Sequence, residues 1–482
     1  MKLSISFPRL VPLSVALAVL SLAGCAAVGP DYRGAPDVAQ PAAFARAPAT
    51  GVTAGPAAAA WWEALGDAQL NALVADALAR SPDLRAARAR LRQARASLVE
   101  ARRNALPSAS ANAAYVHARL PPGGLTGGGD GEGGGATSMN LYNASFDATW
   151  ELDLFGGTRR AIEAAVAEAD AVQADLADAH VSLAAEVVQA YVDLRDRQRR
   201  LELVRRSAEL ERQMLDLTRQ RRDRGVASDL DVERLNTQVE TTRGTLIPLQ
   251  AQIAESLDQL AALTGREPGA LDDELGQPTP LPAVPATVAV GDPAALIAHR
   301  PDIRAAERRL ASQNAQIGER TADLFPKVTL LGTLGFSASD PGHLIRSDNF
   351  SWLGVPYLQW SLLDMGRTRA RIGQAEAGRD EASAHYESVV LAALRDANTA
   401  LSRYGHQRDN LASLDHIEQS ATRAETLTRQ RYQGGTASAL DLLDAERTRY
   451  QAEQNRVAGQ AELVKDFAAV QKSLGLGWVE RG

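Results

Sequence analysis

From residue 158 onward, apolar side chains recur in steps of three and four, and the stretch to 265 reads as a long helix, a tight turn and a helix back. In the return run, Val232, Leu235, Val239, Thr242, Leu246, Leu249 and Ile253 step by 3, 4, 3, 4, 3 and 4, which is the seam of a coiled coil. Proline is absent from 158–222 and strong helix formers dominate it. Uninterrupted, those 65 residues span roughly 100 Å at about 1.5 Å per residue. No compact globular core needs such an element.

The pattern returns 210 residues later. Arg219-Gln220-Arg221 and Gly225-Val226-Ala227-Ser228 are echoed by Arg429-Gln430-Arg431 and Gly435-Thr436-Ala437-Ser438. Upstream, Pro82-Asp83 and Leu106-Pro107 are echoed 219 positions on by Pro301-Asp302 and Phe325-Pro326. The chain is a tandem duplication. The nine extra residues of the first copy fit a Gly-rich tract at 123–135, whose Asp130 and Glu132 make it a solvated loop rather than a phosphate cradle.

Beside that tract the period changes to two. Tyr142, Phe146 and Trp150 fall on one face, and Asn143, Ser145, Asp147 and Thr149 on the other. The second copy repeats this with Val328, Leu330, Leu334 and Phe336, and then with Trp352, Leu358 and Trp360. Strands with one apolar face and terminal aromatics are the pattern of a membrane β-barrel, in which these residues face lipid and the polar face lines a lumen. An ordinary half-buried sheet gives the same alternation. Four strands cannot close a barrel, and an open edge cannot sit in lipid, so the chain must oligomerise. Two copies make a barrel filled by side chains, whereas three or more leave a lumen. The helix before the strands (67–105) and the return helix (228–264) together match the long helix in length, which implies a cylinder of helices continuing the barrel of strands. The expected fold is mixed and mainly α: long coiled-coil helical hairpins forming an α-barrel, plus four strands per chain.

The organisation follows. Residues 61–265 and 294–475 are the two repeats, 266–293 is a Pro-rich link and 476–482 a tail. Residues 25–60, rich in Pro, Ala and Gly, read as an extended strap. Ahead of it, Lys2 and Arg9 precede a short apolar run that ends in Leu22-Ala23-Gly24-Cys25, the form of a lipoprotein signal over 1–24 with acylation of Cys25. Ala26 follows that cysteine, and the outer membrane is the expected address. Cys25 is the single cysteine, so no intrachain disulfide forms.

The formal charge of −7 gives no basic field for nucleic acid. Catalytic spacing is absent as well: there is no His-Glu-x-x-His, no Gly-x-Ser-x-Gly elbow and no phosphate-binding loop. No reaction, metal or cofactor is expected beyond the lipid on Cys25. The chemistry is electrostatic and sits at the hairpin turns, where acidic side chains crowded around an axis favour cations. Asp441 and Asp444 lie three apart on one helical face. The bland reading of such acids is helix capping, and for Asp229, just after Ser228, it is the preferred one. A barrel lumen continued by a cylinder of helices makes a duct, and outside that class stands a non-conducting outer-membrane coiled-coil scaffold. Within it, a type I protein-secretion exit and a copper or silver exporter are alternatives; with only Met139, Met214 and Met365 after the signal, no soft-ligand relay is visible for the second.

Gly24-Cys25-Ala26-Ala27-Val28-Gly29-Pro30, Trp61-Trp62, Ser81-Pro82-Asp83-Leu84, Arg300-Pro301-Asp302-Ile303 and Leu440-Asp441-Leu442-Leu443-Asp444-Ala445 together resemble the outer-membrane factor family of tripartite efflux systems, TolC-like, in its OprM-type lipoprotein branch. The resemblance covers the whole mature chain. It implies a homotrimer with a twelve-stranded transmembrane β-barrel and a periplasmic tunnel of twelve helices. Its implied partners are a periplasmic adaptor and an inner-membrane pump of the resistance-nodulation-division type. It implies a passive exit duct for small molecules, with Asp441 and Asp444 at the acidic constriction. Asp231 and Tyr432 match a carboxylate and a phenol that bond between hairpins in closed states. The arginine of that latch falls at Ala437, which leaves Arg431 or Arg221 as its substitute. Gly225, Val226, Ala227, Gly435, Thr436 and Ala437 match the tips on which the adaptor docks.

Overall fold

The computed structural model describes residues 27–38, 41–48, 50–55, 58–120 and 137–478. The signal at 1–24, Cys25 and the Gly-rich tract at 123–135 lie outside them. In chain order the elements are β1 (Val52–Ala54), α1 (Ala68–Arg80), α2 (Pro82–Arg103), β2 (Ser108–Leu120), β3 (Thr137–Leu152), α3 (Gly157–Asp223) and α4 (Asp229–Leu263). After a short α5 (Asp272–Leu275) and β4 (Val288–Val290), the second copy follows. It comprises α6 (Pro293–His299), α7 (Pro301–Ala322), β5 (Lys327–Ala338), β6 (Phe350–Gln359), α8 (Arg367–Gln433) and α9 (Ala439–Ser473). Long helices α3 and α8 have 67 residues each and return helices α4 and α9 have 35 each, offset by the 210 positions that the repeat dictates.

One expected helix is two. The run at 67–105 is broken between α1 and α2 at Ser81, whose ψ of 130° is extended, because the ring of Pro82 excludes the helical conformation from the residue before it. Arg300 is extended in the same way before Pro301. Ahead of α1, Trp61–Leu65 is a separate 3₁₀ turn closed by Gly66 at φ +69°. The link between the copies is not wholly irregular either. It holds α5, and its β4 pairs in parallel with β1 of the strap, Val52 opposite Val288 and Ala54 opposite Val290.

The chain divides into two compact units. The first, over residues 27–36, 92–171 and 307–385, contains an antiparallel sheet in the order β2-β3-β5-β6. Register puts Ala111, Phe146, Leu334 and Trp352 in one cross-strand row, and Ser110, Asp147, Thr333 and Leu353 in the next. Alternate rows therefore present opposite faces. At the base of the sheet Phe155 stacks on Phe325 with ring centres 4.6 Å apart.

The strap is pinned to the helices of this unit. Val28 N–H donates to Phe155 O at 3.0 Å, and the buried Arg160 guanidinium donates to Val28 O at 3.1 Å and Asp31 Oδ1 at 2.6 Å. Gly29 sits at φ +88°, and a Cβ there would fall 2.3 Å from Gly318 Cα on α7. The strap lies so close that both positions have room only for hydrogen.

The second unit holds residues 37–91, 172–306 and 386–478. Its core packs Trp61 edge-on against Phe467, ring centres 5.7 Å apart, over buried Leu70, Leu73 and Val74. Along the first hairpin, Leu215, Val232, Leu235 and Val239 form one buried cluster and Leu201, Val204 and Leu249 another, so the predicted seam is the packed one.

Candidate functional site

Both hairpin ends are built by the same backbone device. Gly225 and Gly435 each take φ +74°, a conformation that costs glycine nothing. Gly225 N–H donates to Arg222 O and Val226 N–H to Arg221 O; Gly435 and Thr436 repeat this on Tyr432 and Arg431. This six-to-one and five-to-two pair satisfies the last carbonyls of α3 and α8 and reverses the chain. Ser228 and Ser438 then cap α4 and α9.

Asp231 and Asp441 complete those caps. The Ser228 hydroxyl accepts from Asp231 N–H, while Asp231 Oδ2 accepts from Ser228 N–H at 3.1 Å and its Oγ–H at 2.7 Å; Asp441 repeats this on Ser438 at 2.8 and 2.8 Å. The capping expected of Asp229 thus belongs to Asp231, two residues on. The reason is reach: only the third helical residue can bond back to the cap backbone. Asp229 is exposed instead, 3.7 Å from Arg222. The Ser228 bonds hold Asp231 below its usual carboxylate value, and the Ser438 bonds do the same for Asp441. Both stay ionised at neutral pH, and the stability they add is lost only as pH falls below the usual aspartate range.

Asp444 is exposed and pairs with Arg447 at 2.9 Å. Within the chain Tyr432 meets Arg221, not Asp231: the guanidinium lies 5.2 Å from the ring centre, and the phenol oxygen is buried without a hydrogen-bond partner. Arg431 accepts at its carbonyl from the Thr436 hydroxyl at 3.1 Å. The tips Val226 and Gly435 are exposed, and Ala437 is half-buried.

Above the tip of the second hairpin is a cluster that the sequence pattern does not mark. Glu425 and Glu446 are both buried and both pair with Arg429, where the first hairpin has Leu215, Asn236 and Arg219. Only the 210-residue offset, read position by position, reveals that substitution. Farther along α9, burial and the Glu462 charge push Asp466 up to about 6. Its folded value lies above its unfolded one, so acidification stabilises and the benefit disappears as pH rises from about 4 to 6. Asp466→Asn is expected to stabilise the fold at pH 7.5 by on the order of 1–2 kcal/mol after allowance for its partial exposure, and to have no such effect at pH 4.5. Calorimetry at the two pH values checks this.

In the sheet, cross-strand register puts Tyr142, Phe146, Trp150, Val328, Leu330, Leu334, Phe336, Trp352 and Leu358 on one face. Phe146 and Trp352 are among the most exposed large side chains of the protein. Trp360 lies just past β6, its indole N–H on Leu324 O at 3.0 Å. On the opposite face Asp147 accepts from Asn112 and from the Thr333 hydroxyl, the latter at 2.6 Å. Strand β6 departs from the expected polar second face. Its Leu353, Val355 and Tyr357 share the row parity of Asp147, so both its faces are apolar.

Compared with known proteins, residues 73–266 and 293–476 match the family model described as outer membrane efflux protein. The chain belongs to the outer membrane efflux protein family. The two matched segments follow the two repeats. Nodulation protein T of Rhizobium leguminosarum bv. trifolii is 29% identical over 462 residues, covering 95% of this chain and 96% of that protein. The toluene efflux pump outer membrane protein TtgF of Pseudomonas putida is 30% identical, covering 97% and 96%. Among solved structures, the outer-membrane channel OprN matches with a TM-score of 0.86 and 37% identity over 94% of this chain and 100% of that one. This efflux protein is an outer-membrane channel and not an enzyme.

Proposed function

We propose that three copies of this chain assemble into a passive duct of an efflux pump. The four-stranded sheets join at their open edges into one twelve-stranded barrel, and the hairpins enclose a water-filled periplasmic tunnel. The observation that carries the proposal is the sheet: its end strands β2 and β6 are unpaired along their outer edges among the described residues, and one face is apolar from the Tyr115–Tyr142 row to the base of the sheet, with polar His117, Arg119, Ser138 and Asn140 on it only at the end next to the Gly-rich tract. Unpaired edges are not tolerated in lipid, and an apolar face of exposed Phe146, Leu334 and Trp352 suits lipid. Acylated Cys25 anchors the strap beside the barrel. A periplasmic adaptor docks on the tips around Gly225 and Gly435 and links the duct to an inner-membrane pump of the resistance-nodulation-division type. TtgF is named for toluene efflux, and small organic compounds are the cargo we assign here.

The test is conductance of the purified protein in a planar bilayer together with its mass in detergent. A monomer that conducts nothing would sink the proposal. In the same assay Asp441→Asn with Asp444→Asn removes two negative charges per chain, while the amide introduced at the first of these positions retains an oxygen for the Ser438 cap. Cation selectivity is expected to drop at least twofold, read as a shift of the reversal potential in a salt gradient. An unchanged reversal potential takes these residues out of the constriction.

A further inference from the structure

One hairpin of the sheet outruns the rest of it. Strand β3 keeps β5 beside it only as far as Tyr142, whereas β2 and β3 stay paired on to Leu120 and Thr137, so their far end stands alone as a two-stranded ribbon. Polarity changes sides where the ribbon begins. On the side of Phe146 and Leu334 the last apolar row is Tyr115 on Tyr142, stacked with ring centres 4.7 Å apart, and beyond it come His117 opposite Asn140 and Arg119 opposite Ser138. The other side of the ribbon is apolar instead, with Val116 opposite Leu141 and Ala118 opposite Met139.

Length fixes the level at which this happens. From Tyr142 to Trp150 the strand rises about 27 Å, or roughly 21 Å along a barrel axis at a tilt of about 40°, against an apolar band of about 25 Å. The indoles of Trp150, on Ala105 O, and Trp360, on Leu324 O, mark the opposite edge of that band. His117 and Arg119 follow Tyr115 by two and four residues, which places them about 7 and 14 Å farther along the strand, beyond the hydrocarbon.

The chemistry at that level is basic. Arg119 is exposed and has no ion pair among the described residues. Asn140 Oδ1 accepts from the Tyr115 hydroxyl at 3.1 Å and from His117 Nδ1–H at 2.7 Å, which fixes the imidazole on the ribbon and leaves Nε2 unengaged among the described residues. The loop after β5 carries both signs, Asp340 and Asp348 against Arg346, and offers no basic surface of its own.

We propose that this basic rim binds the phosphate of anionic lipid headgroups, those of the same lipids whose chains cover the apolar face below it. Continuity selects the occupant. The rim extends the lipid side of the sheet without a change of register, so whatever lies against Phe146 and Leu334 ends, at this height, in its own headgroup. A phosphate accepts both prongs of the Arg119 guanidinium, and the Ser138 hydroxyl stands opposite as a further donor.

The inference rests on the lipid reading of the sheet and fails separately from it. Full-length protein is reconstituted in phosphatidylcholine vesicles with a trace of spin-labelled phosphatidylglycerol or spin-labelled phosphatidylcholine, and the immobilised fraction of each label gives their relative affinity. The unaltered chain should prefer phosphatidylglycerol about two- to fivefold. His117→Ala with Arg119→Ala should bring the two labels to parity, whereas Arg346→Ala, at the same end of the sheet but off the ribbon, should leave the preference in place. Immobilised phosphatidylcholine label in the same samples shows that each variant is still inserted. No preference in the unaltered chain, a preference that survives the double substitution, or an equal loss with Arg346→Ala overturns the inference and leaves the sheet in lipid. If neither label is immobilised by the unaltered chain, the sheet is not in lipid and both readings fail.

Discussion

Arg195→Met is expected to destabilise the second unit by about 3–5 kcal/mol, which should appear as a fall of several degrees in the melting temperature and as early proteolysis between residues 266 and 293. Arg195 is fully buried in α3. One guanidinium nitrogen donates to Gln198 Oε1 at 2.6 Å, Leu275 O at 3.1 Å and Gln277 O at 2.9 Å, and the other to Gln69 Oε1. The plane lies 4.8 Å from the centre of the Tyr191 ring, whose hydroxyl donates to Asp67 Oδ2 at 2.7 Å. Asp67 in turn caps α1 through the Gln69 and Leu70 amides. One side chain thus ties three parts of the unit together: the long helix, the cap of α1, and the link between the copies at the end of α5. Methionine fills most of the volume but leaves the carbonyl of Gln277 and the amide oxygen of Gln69 without that donor in a partly buried site. Gln198 still reaches Leu275 O through Nε2 at 2.7 Å, so part of the link stays held. A melting temperature within about one degree of the unaltered protein would mean that water replaces the guanidinium and that the network is dispensable.

Arg195 also marks where sequence reading stops. The steps of three and four give α3 and α4 to within a residue, because a coiled-coil seam is a local property of spacing. Alternation gives the faces of β3 and β5 for the same reason. A charged residue inside an Arg-rich helix looks like its solvated neighbours until the link folds over it, and that contact spans 82 residues of chain. The tips follow the same rule. Gly225, Gly435, Ser228 and Ser438 announce a reversal and a cap, but which acid answers the serine depends on the reach from the third helical position, which moves the role from Asp229 to Asp231. The break at Ser81 is legible in Pro82, yet the apolar spacing on either side masks it. Strand β6 misleads because both of its alternating sets are apolar, Trp352, Gly354 and Pro356 on one side and Leu353 and Val355 on the other, so the period is there without a polar face.

Leu334→Arg is expected to block insertion of the sheet into the outer membrane, whereas Thr333→Arg, one residue earlier, should leave it intact. A shift of one position along a strand changes the face. Leu334 lies in the row of Phe146 and Trp352, the apolar face, and an arginine there costs about 2–4 kcal/mol near the middle of a bilayer. In the proposed three-copy barrel that cost is multiplied, and Trp352→Arg beside it is expected to add a similar amount per copy. Thr333 instead lies in the row of Asp147 and bonds its carboxylate. An arginine there gains an opposite charge within reach and, if that face lines water, remains hydrated. The measurement is the fraction of each variant recovered with outer membranes after carbonate extraction, alongside folding of the purified chains into lipid vesicles. Loss with Leu334→Arg and retention with Thr333→Arg assigns lipid to one face and water to the other. Equal recovery of the two variants would mean that the sheet does not discriminate lipid from water, and the barrel reading would have to be given up. Retention also carries a further consequence for Thr333→Arg: an added positive charge on a lumen wall should lower cation conductance, which the bilayer assay reads directly.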